Sequence, residues 1–417
     1  IAKTRPPILT SLFPLQKHNN QQTDIHGIGK RFHQDCRMDL PEEVMMEILM
    51  RLPVKSLLKI RCVCKAWCGL IKSPSFIDML KRYIEHENQT MISFHSNNDE
   101  AEKSLSLCLR PPIEVTWFYH RNLEAAHLIG PCNGIVCITD GMDIYLCNPA
   151  TRELRKLPPS PFGCPENYRP MTDGVGIGFD SSTNDYKVVR ILYWEPIEYR
   201  PDRQYQAELY SLNTNSWREL RDVILPFYHC FARCNLLFQG RFHWRAWHAL
   251  AQPCDTDCIL SFDMRAEVFD VIHYPPSCVG DLGLVENKEP SFVSLNGSLA
   301  LILCTSLSEE HPAPPQVIDI WVMMEYGVEE SWTKKFSLGP FTIGIRLPLC
   351  LWKDDKQLLL ESRSGRLISS SLLPDELEAA ELKEHDIFES STLLEGRIYA
   401  ESLVSLNPIY MEEAIIE

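Results

Sequence analysis

Between residues 41 and 74 the apolar positions recur with a helical period. Val44, Ile48, Leu49 and Leu52 stand at offsets of four, five and eight, on one stripe of a helix that begins after Pro41, with Glu42, Glu43, Glu47 and Arg51 facing outward. Pro53 ends this helix. Leu57, Leu58 and Ile60 form a second short apolar face, and Val63, Trp67, Leu70 and Ile71 a third, before Ser73-Pro74 stops the pattern. Three short helices in about forty residues bury little surface by themselves. Part of their apolar surface is therefore expected to be completed by a partner.

From about residue 90 the pattern changes to short β-rich runs separated by Gly, Pro, Asn and Asp, the texture of an all-β domain. Four units recur. Each has strand, turn, strand, then a polar turn and a further strand: 132–138 with 144–149 and 152–158; 176–180 and 186–190 with 207–213 and 216–220; 236–244 with 259–263 and 268–269; 292–299 with 318–322 and 331–334. The turn residues Asn148, Asn213 and Asp263 and the strand residue Asp319 are spaced about 50 to 65 apart, a period that suits four-stranded propeller blades and lies near the kelch range. Trp217, Trp321 and Trp332 recur at equivalent positions and are assigned to the core. Partial units at 91–94 with 105–107 and at 358–360 with 365–368 flank the four, which makes about six blades. The run 402–406 is expected to return and close the ring against the first strands.

Composition narrows the class. The 417 residues are 45% hydrophobic, ample for a core, and their length suggests one small module plus one large domain. No run of eighteen apolar residues exists and the first thirty lack a continuous apolar segment, so neither a membrane span nor a secretory signal is expected. The chain reads as soluble and intracellular, cytoplasmic or also nuclear. Its sixteen cysteines are then free thiols, and Asn88-Gln89-Thr90 and Asn296-Gly297-Ser298 are accidental glycosylation matches. Residues 1–37, with an Asn19-Asn20-Gln21-Gln22 run and little periodicity, read as a disordered leader. The chain begins with Ile1, and Met38 is expected to be the natural start. The net charge of −15 is uneven: about +4 over 1–37 and +3 over 39–84, leaving about −22 for the rest. That excludes a nucleic-acid footprint and favours a basic protein partner or simple solubility. Asp375-Glu376 after Pro374 reads as the acidic first turn of a helix.

The helical residues resemble the F-box: Leu40-Pro41, Ile48, Leu52-Pro53, Leu57 and Val63-Cys64-Lys65-x-Trp67. That resemblance implies docking on a Skp-type linker, and through it on cullin and RING subunits of a ubiquitin ligase, by Leu40, Pro41, Val44, Ile48, Leu52, Pro53, Leu57, Val63, Cys64 and Trp67. The segments Gly130-Pro131-Cys132-Asn133-Gly134-Ile135-Val136-Cys137, Leu146-Cys147-Asn148-Pro149-Ala150-Thr151-Arg152, Gly178-Phe179-Asp180 with Asp185-Tyr186-Lys187-Val188-Val189, Ser216-Trp217 and Ile320-Trp321-Val322-Met323 are similar to the plant F-box-associated domain. The expected fold is mainly β with a small α module: a three-helix F-box over 38–84, a kelch-like propeller over 85–408, and a tail over 409–417. Within that plant group the chain most resembles S-locus F-box proteins. This implies a pollen adaptor that presents basic ribonucleases for ubiquitination. An F-box adaptor for an unrelated target, or a propeller lectin or enzyme carrying an F-box for its own turnover, is the alternative.

Candidate chemistry is sparse. Cys230-x-x-x-Cys234 and Cys254-x-x-x-Cys258 with His243 and His248 between them have the look of a zinc set, but they bracket a hairpin of core aromatics and the family implies no metal. No cofactor is expected. Cys62 and Cys64 lie on a predicted helix and are assigned to packing. Gly174-x-Gly176-x-Gly178 precedes a strand instead of opening a helix, so it is assigned to hairpin punctuation and not to a nucleotide loop. There is no Gly-x-Ser-x-Gly elbow and nothing places a Ser, His and Asp together. A catalytic cysteine is not needed, because the F-box reading leaves ubiquitin transfer to other subunits. For the target, Tyr168, Trp194, Glu195, Glu198, Tyr199 and Asp202, with Tyr205, form the most interface-like long loop.

Overall fold

The computed structural model describes residues 41–87, 90–97, 103–108, 127–139, 143–197, 204–221, 228–248, 256–278, 288–305, 315–352, 355–373, 382–385 and 391–406. The chain divides into two units, residues 1–45 and 46–417, and most of the first lies outside the described residues. The helix at 375–378 expected from the acidic run and the expected leader lie outside them too.

Four helices open the described chain: α1 (Glu42–Met50), α2 (Val54–Ile60), α3 (Lys65–Ile71) and α4 (Pro74–Glu87). The fourth corrects the reading of Ser73-Pro74 as a stop. Proline at the first helical position gives up only an amide that has no partner there, and the Ser73 hydroxyl accepts the Phe76 N–H at 3.3 Å while donating to Leu70 O at 2.7 Å. One serine thus closes α3 and opens α4. Leu49, Val54, Leu57, Ile71, Phe76, Leu80 and Ile84 are buried.

The remainder is antiparallel β-sheet. After β1 (Thr90–Asn97) and β2 (Lys103–Cys108) come five four-stranded sheets. They are β3–β6 (His127–Cys132, Ile135–Thr139, Ile144–Asn148, Glu153–Lys156), β7–β10 (Tyr168–Asp180, Asp185–Pro196, Gln204–Ser211, Ser216–Glu219) and β11–β14 (Tyr228–Phe238, Arg241–His248, Thr256–Asp263, Phe269–His273). The other two are β15–β18 (Lys288–Leu295, Ser298–Thr305, Gln316–Met323, Trp332–Phe341) and β19–β22 (Ile345–Trp352, Gln357–Ser362, Leu367–Ser371, Lys383–His385). Each is an up-and-down meander in sequence order, as in a propeller blade. A three-stranded sheet, β2-β1-β23, joins the beginning of the β region to its last strand, β23 (Ser391–Tyr399). The first strands β3, β7, β11, β15 and β19 lie against one another in turn, and β23 touches both β19 and β3, so the circuit closes.

The closing strand is therefore β23, paired with β1 from Thr90↔Tyr399 to Asn97↔Ser391, and not the run 402–406. That run carries no strand. It is a strap tied to the β3–β6 blade: Asn148 Nδ2 donates to Ser402 O at 3.1 Å and Val404 O at 2.7 Å, Arg155 Nη1 to Leu406 O at 2.7 Å, and Glu153 accepts the Leu406 N–H at 2.6 Å.

The local chemistry of the turns sets the blades. Asn133-Gly134, Gln239-Gly240 and Asn296-Gly297 all have positive φ at both positions, the two-residue hairpin turn that matches strand twist. Asn296-Gly297 is thus the tip of a hairpin. Further out, Asn148 Oδ1 accepts the Ala150 and Thr151 amides and Asp263 Oδ1 those of Arg265 and Ala266, the same turn in two blades. Trp217 Nε1 donates to Pro158 O at 2.7 Å and Trp332 Nε1 to His273 O at 3.1 Å, each from the start of a fourth strand back to the preceding blade. Trp321 does not share that place. It lies mid-strand in β17, half-buried, with Lys334 5.5 Å above its ring.

Gly174, Gly176 and Gly178 lie inside β7 and not in a turn. A Cβ on Gly176 would sit 2.7 Å from the rings of Phe242 and Trp244, and one on Gly178 2.3 Å from Met264. They are glycine because neighbouring blades approach there.

Candidate functional site

Because every sheet repeats the same order, the first-to-second turns lie at one end of the ring and the second-to-third connections at the other. The helical module meets the first of these ends. Lys81 of α4 lies 5.9 Å over the ring of Phe179, next to the β7–β8 turn. Lys81 also lines a cavity of about 170 Å³ with Pro131, Asn133, Gly134, Tyr399 and Glu401.

Three large apolar side chains of the helical region face solvent. Val44 is 44%, Ile48 47% and Val63 61% exposed, while Leu49 is 2% and Val54 and Leu57 are 0%. The single stripe expected of α1 is thus split: Leu49 faces inward and Val44 and Ile48, four residues apart, share an outer row. Pro41 and Pro53 are exposed, and Leu52, Cys64 and Trp67 are half-buried. Leu57, three residues after Val54, turns to the same inner side and is buried. Leu40 lies outside the described residues.

At the other end, the region read as a long loop is mostly strand. Tyr168 opens β7, Trp194 and Glu195 close β8, and Tyr205 lies in β9. Pro170 is tolerated because β7 is an edge strand of its sheet, and Pro196 is the last residue of β8. Trp194 is 5% exposed and packs inward. The row Met171↔Tyr193↔Tyr205 lies on the opposite side of the sheet, with the two tyrosine rings 6.0 Å apart. Beyond it Arg169 Nε donates to Glu195 Oε2 at 2.6 Å, and Met171 and Ile197 are 38% and 70% exposed. Glu198, Tyr199 and Asp202 lie outside the described residues. Sequence reading missed Met171, Tyr193 and Ile197; the alternation on either side of Trp194 was the signal.

The would-be zinc ligands have other occupations. His243 is fully buried, with Nε2 2.7 Å from Tyr326 Oη and Nδ1 3.2 Å from Leu236 O. Cys234 Sγ donates to Pro290 O at 2.9 Å. Cys230 and Cys258 flank Ala246 two strands apart; burial pushes the Cys258 thiol up to about 12 and the Cys230 thiol well above its ordinary value. Cys254 lies outside the described residues, as does the side chain of His248. Among the described residues no group of three or more His, Cys, Asp or Glu side chains is placed to hold a metal, and no helix is long and apolar enough to cross a membrane.

An apolar helical hook joined to a rigid ring of blades defines a binding module coupled to a scaffold-docking module. Residues 38–78 match the F-box domain, and residues 84–404 match the F-box associated beta propeller domain. The second match spans well over half of the chain, which therefore belongs to the F-box associated β-propeller family. Relatives include the F-box protein CPR1 of Arabidopsis thaliana, 26% identical with 83% of this chain and 85% of that protein covered. The F-box/kelch-repeat protein At3g23880 of the same plant is 27% identical, over 78% of this chain and 86% of its own length. The chain is thus a homologue of plant F-box proteins, which generally act as non-catalytic substrate-recognition subunits of Skp-cullin-F-box ubiquitin ligases. The domain implies binding to a Skp-type linker and to a protein substrate.

Proposed function

We propose that this chain hooks its target to a cullin scaffold through residues 38–84 and captures it with residues 85–408. The observation that carries the reading is the exposure of Val44 and Ile48 on one side of α1 and of Val63 between α2 and α3, over the buried Leu49, Val54 and Leu57. Adjoining exposed apolar side chains, such as Val44 and Ile48 four residues apart on α1, are the kind of surface that a partner covers. Docking runs through Leu40, Pro41, Val44, Ile48, Leu52, Pro53, Val63, Cys64 and Trp67, with Leu57 supporting them from inside. The mechanism is proximity: a target lysine held near a charged ubiquitin carrier gains effective concentration without new covalent chemistry in this chain.

The target is captured at the end of the ring away from the helices, through Tyr168, Trp194, Glu195, Glu198, Tyr199 and Asp202, with Met171 and Tyr193 added to them. We read the β2-β1-β23 sheet as a sixth, kelch-like blade, since β23 sits between β19 and β3. The acidic balance of the propeller supports a basic protein as the target. An S-locus ribonuclease recognised in the cytoplasm of pollen is the specific form of this proposal. Binding of the purified chain to a panel of basic ribonucleases across salt concentrations tests it. Affinity that falls steeply with salt is expected; absence of salt-sensitive binding to every member overturns the ribonuclease assignment.

A further inference from the structure

Three hairpin turns of the ring share one backbone: φ is 47° and 79° at Asn133-Gly134, 48° and 75° at Gln239-Gly240, and 49° and 75° at Asn296-Gly297. Their surroundings differ. A Cβ on Gly134 would lie 2.2 Å from Ser402 Cβ and 2.9 Å from Ala400 O, so the strap seals the first turn. Gly240 and Gly297 have open space at that position, and Gln239 and Asn296 are exposed. The second turn is tied through Gly240 O, which accepts the Met264 N–H at 3.2 Å. The third is tied to the next blade, where Asp355 Oδ2, between β19 and β20, accepts the Asn296 N–H at 2.7 Å.

Asparagine followed by glycine carries a reaction of its own, and the pair occurs twice in this sequence, at 133–134 and 296–297. Gly297 has no side chain to shield its nitrogen. When the hairpin tip opens, that nitrogen attacks Asn296 Cγ: the N–Cγ bond forms, the Cγ–Nδ2 bond breaks, and Nδ2 leaves as ammonia with the proton from Gly297 N. Water then opens the succinimide at either carbonyl and leaves aspartate or isoaspartate at 296. Neither an oxidant nor an enzyme is required. Opening is the step the fold controls, and hairpin tips belong to the least protected parts of a structure. At Gly134 the strap must first leave, which breaks the bonds of Asn148 to Ser402 O and Val404 O and slows ring closure by about tenfold or more. Gln239 has the open setting but would close a larger, slower ring.

We propose that Asn296 is a site of spontaneous deamidation, and that the new carboxylate loosens the fourth blade from the fifth by facing Asp355. The added charge stands beside the carboxylate that accepts the 296 N–H, and like charges in facing positions are destabilising. Isoaspartate also inserts a methylene into the main chain of a two-residue turn, whose length fixes the Leu295↔Ser298 pairing. The inference does not depend on what the propeller binds or on what the helices dock.

The test incubates the full chain at neutral pH, folded and in urea, and follows conversion of amide to acid in digested peptides by mass spectrometry. Isoaspartate is counted by methyl transfer from S-adenosylmethionine with a purified isoaspartyl methyltransferase. In the folded chain the Asn296 peptide should convert at least about tenfold faster than the Asn133 peptide, with the Gln239 peptide unchanged. In urea the two asparagines should convert at similar rates, since the strap no longer distinguishes them. Equal conversion of both in the folded chain, or conversion of neither, overturns the proposal. Asn296→Asp places the product charge on an unaltered main chain. It should lose about two- to fivefold of the hydrogen-exchange protection of the 296 amide, and adding Asp355→Asn should restore it. Wild-type protection in Asn296→Asp overturns the coupling to the fifth blade.

Discussion

Replacing Lys187 with Met isolates a buried polar tie between two blades. Lys187 is 6% exposed, and its ammonium donates to Asp180 Oδ2 at 2.7 Å, to Glu267 Oε1 at 2.8 Å and to Met264 O at 3.1 Å. Asp180 and Lys187 belong to the second blade; Met264 and Glu267 belong to the third. Methionine keeps much of the stem and removes the charge. Glu267 retains Arg218 and its side chain is 25% exposed, so the penalty falls on Asp180, which is 2% exposed. Removing one partner of a buried pair costs about 3–5 kcal/mol, because the other is left as an uncompensated charge. Arg366→Ala is the internal control: its partner Glu384 is 3.0 Å away, but the side chains are 57% and 45% exposed, and such pairs contribute about 0–1 kcal/mol. Urea unfolding at pH 7, followed by tryptophan fluorescence, compares the two. Adding Asp180→Asn to Lys187→Met should recover part of the loss, since the orphaned charge is gone. A Lys187→Met protein no less stable than Arg366→Ala refutes the reasoning. The same pair has a pH signature. Burial works to raise the Asp180 carboxyl, but the Lys187 ammonium and the Ser182 and Thr183 hydrogen bonds outweigh it and hold the group well below the usual carboxylate range. Its contribution is present above the unfolded value of about 4 and lost as pH falls below it.

Three further outcomes follow from the same geometry. Burial lowers the His243 imidazole to about 4, so between about 6.5 and 4 the unfolded chain holds a proton that the native one refuses, and stability falls by about 3 kcal/mol as pH drops through that window; in His243→Gln the slope, measured by unfolding at stepped pH, should flatten. Gly134→Ala should cost about 2–5 kcal/mol in unfolding free energy, from the left-handed φ and the collision with Ser402, whereas Gly240→Ala, with φ of +75° but open space around it, should cost only about 1–2 kcal/mol. Leu57→Ala should destabilise by about 2–5 kcal/mol, while Ile48→Asp, at a half-exposed site, should stay within about 0.5 kcal/mol of wild type in the same unfolding assay.

Local signals in the sequence were read well where the structure they specify is local. The 3.6-residue period gave the first three helices, and Asn148 and Asp263 were placed in turns, where each side chain accepts two amides of its own turn. Apart from Pro74, whose capping serine is its neighbour, the errors share one cause, which is dependence on distant partners. Pro74 breaks a helix from within but opens one when a capping serine precedes it, so the fourth helix was lost. Gly174, Gly176 and Gly178 look like turn residues, and only the positions of Cys230, Phe242, Trp244 and Met264 on the next blade explain them. The ring closure was placed at 402–406 because β23 pairs with β1 about three hundred residues away, a contact with no local trace. Trp321 was grouped with Trp217 and Trp332 by spacing alone, although only the latter two donate to a carbonyl of the preceding blade. Among the candidate site residues, the docking helices were legible as a motif, but which of its apolar residues face water was not: Leu57 and Ile48 look alike in sequence and differ from 0% to 47% in exposure.

Binding to a purified Skp-type linker tests most directly whether the exposed apolar residues Val44, Ile48 and Val63 form an anchoring surface. Surface-immobilised linker should retain wild type stably, and Ile48→Asp, Val63→Asp and the Leu52→Asp, Pro53→Ala double variant should each lose at least about thirtyfold in affinity, the loss expected when a central apolar contact becomes a buried charge. Equal retention of wild type and of the correctly folded Ile48→Asp protein would contradict the account.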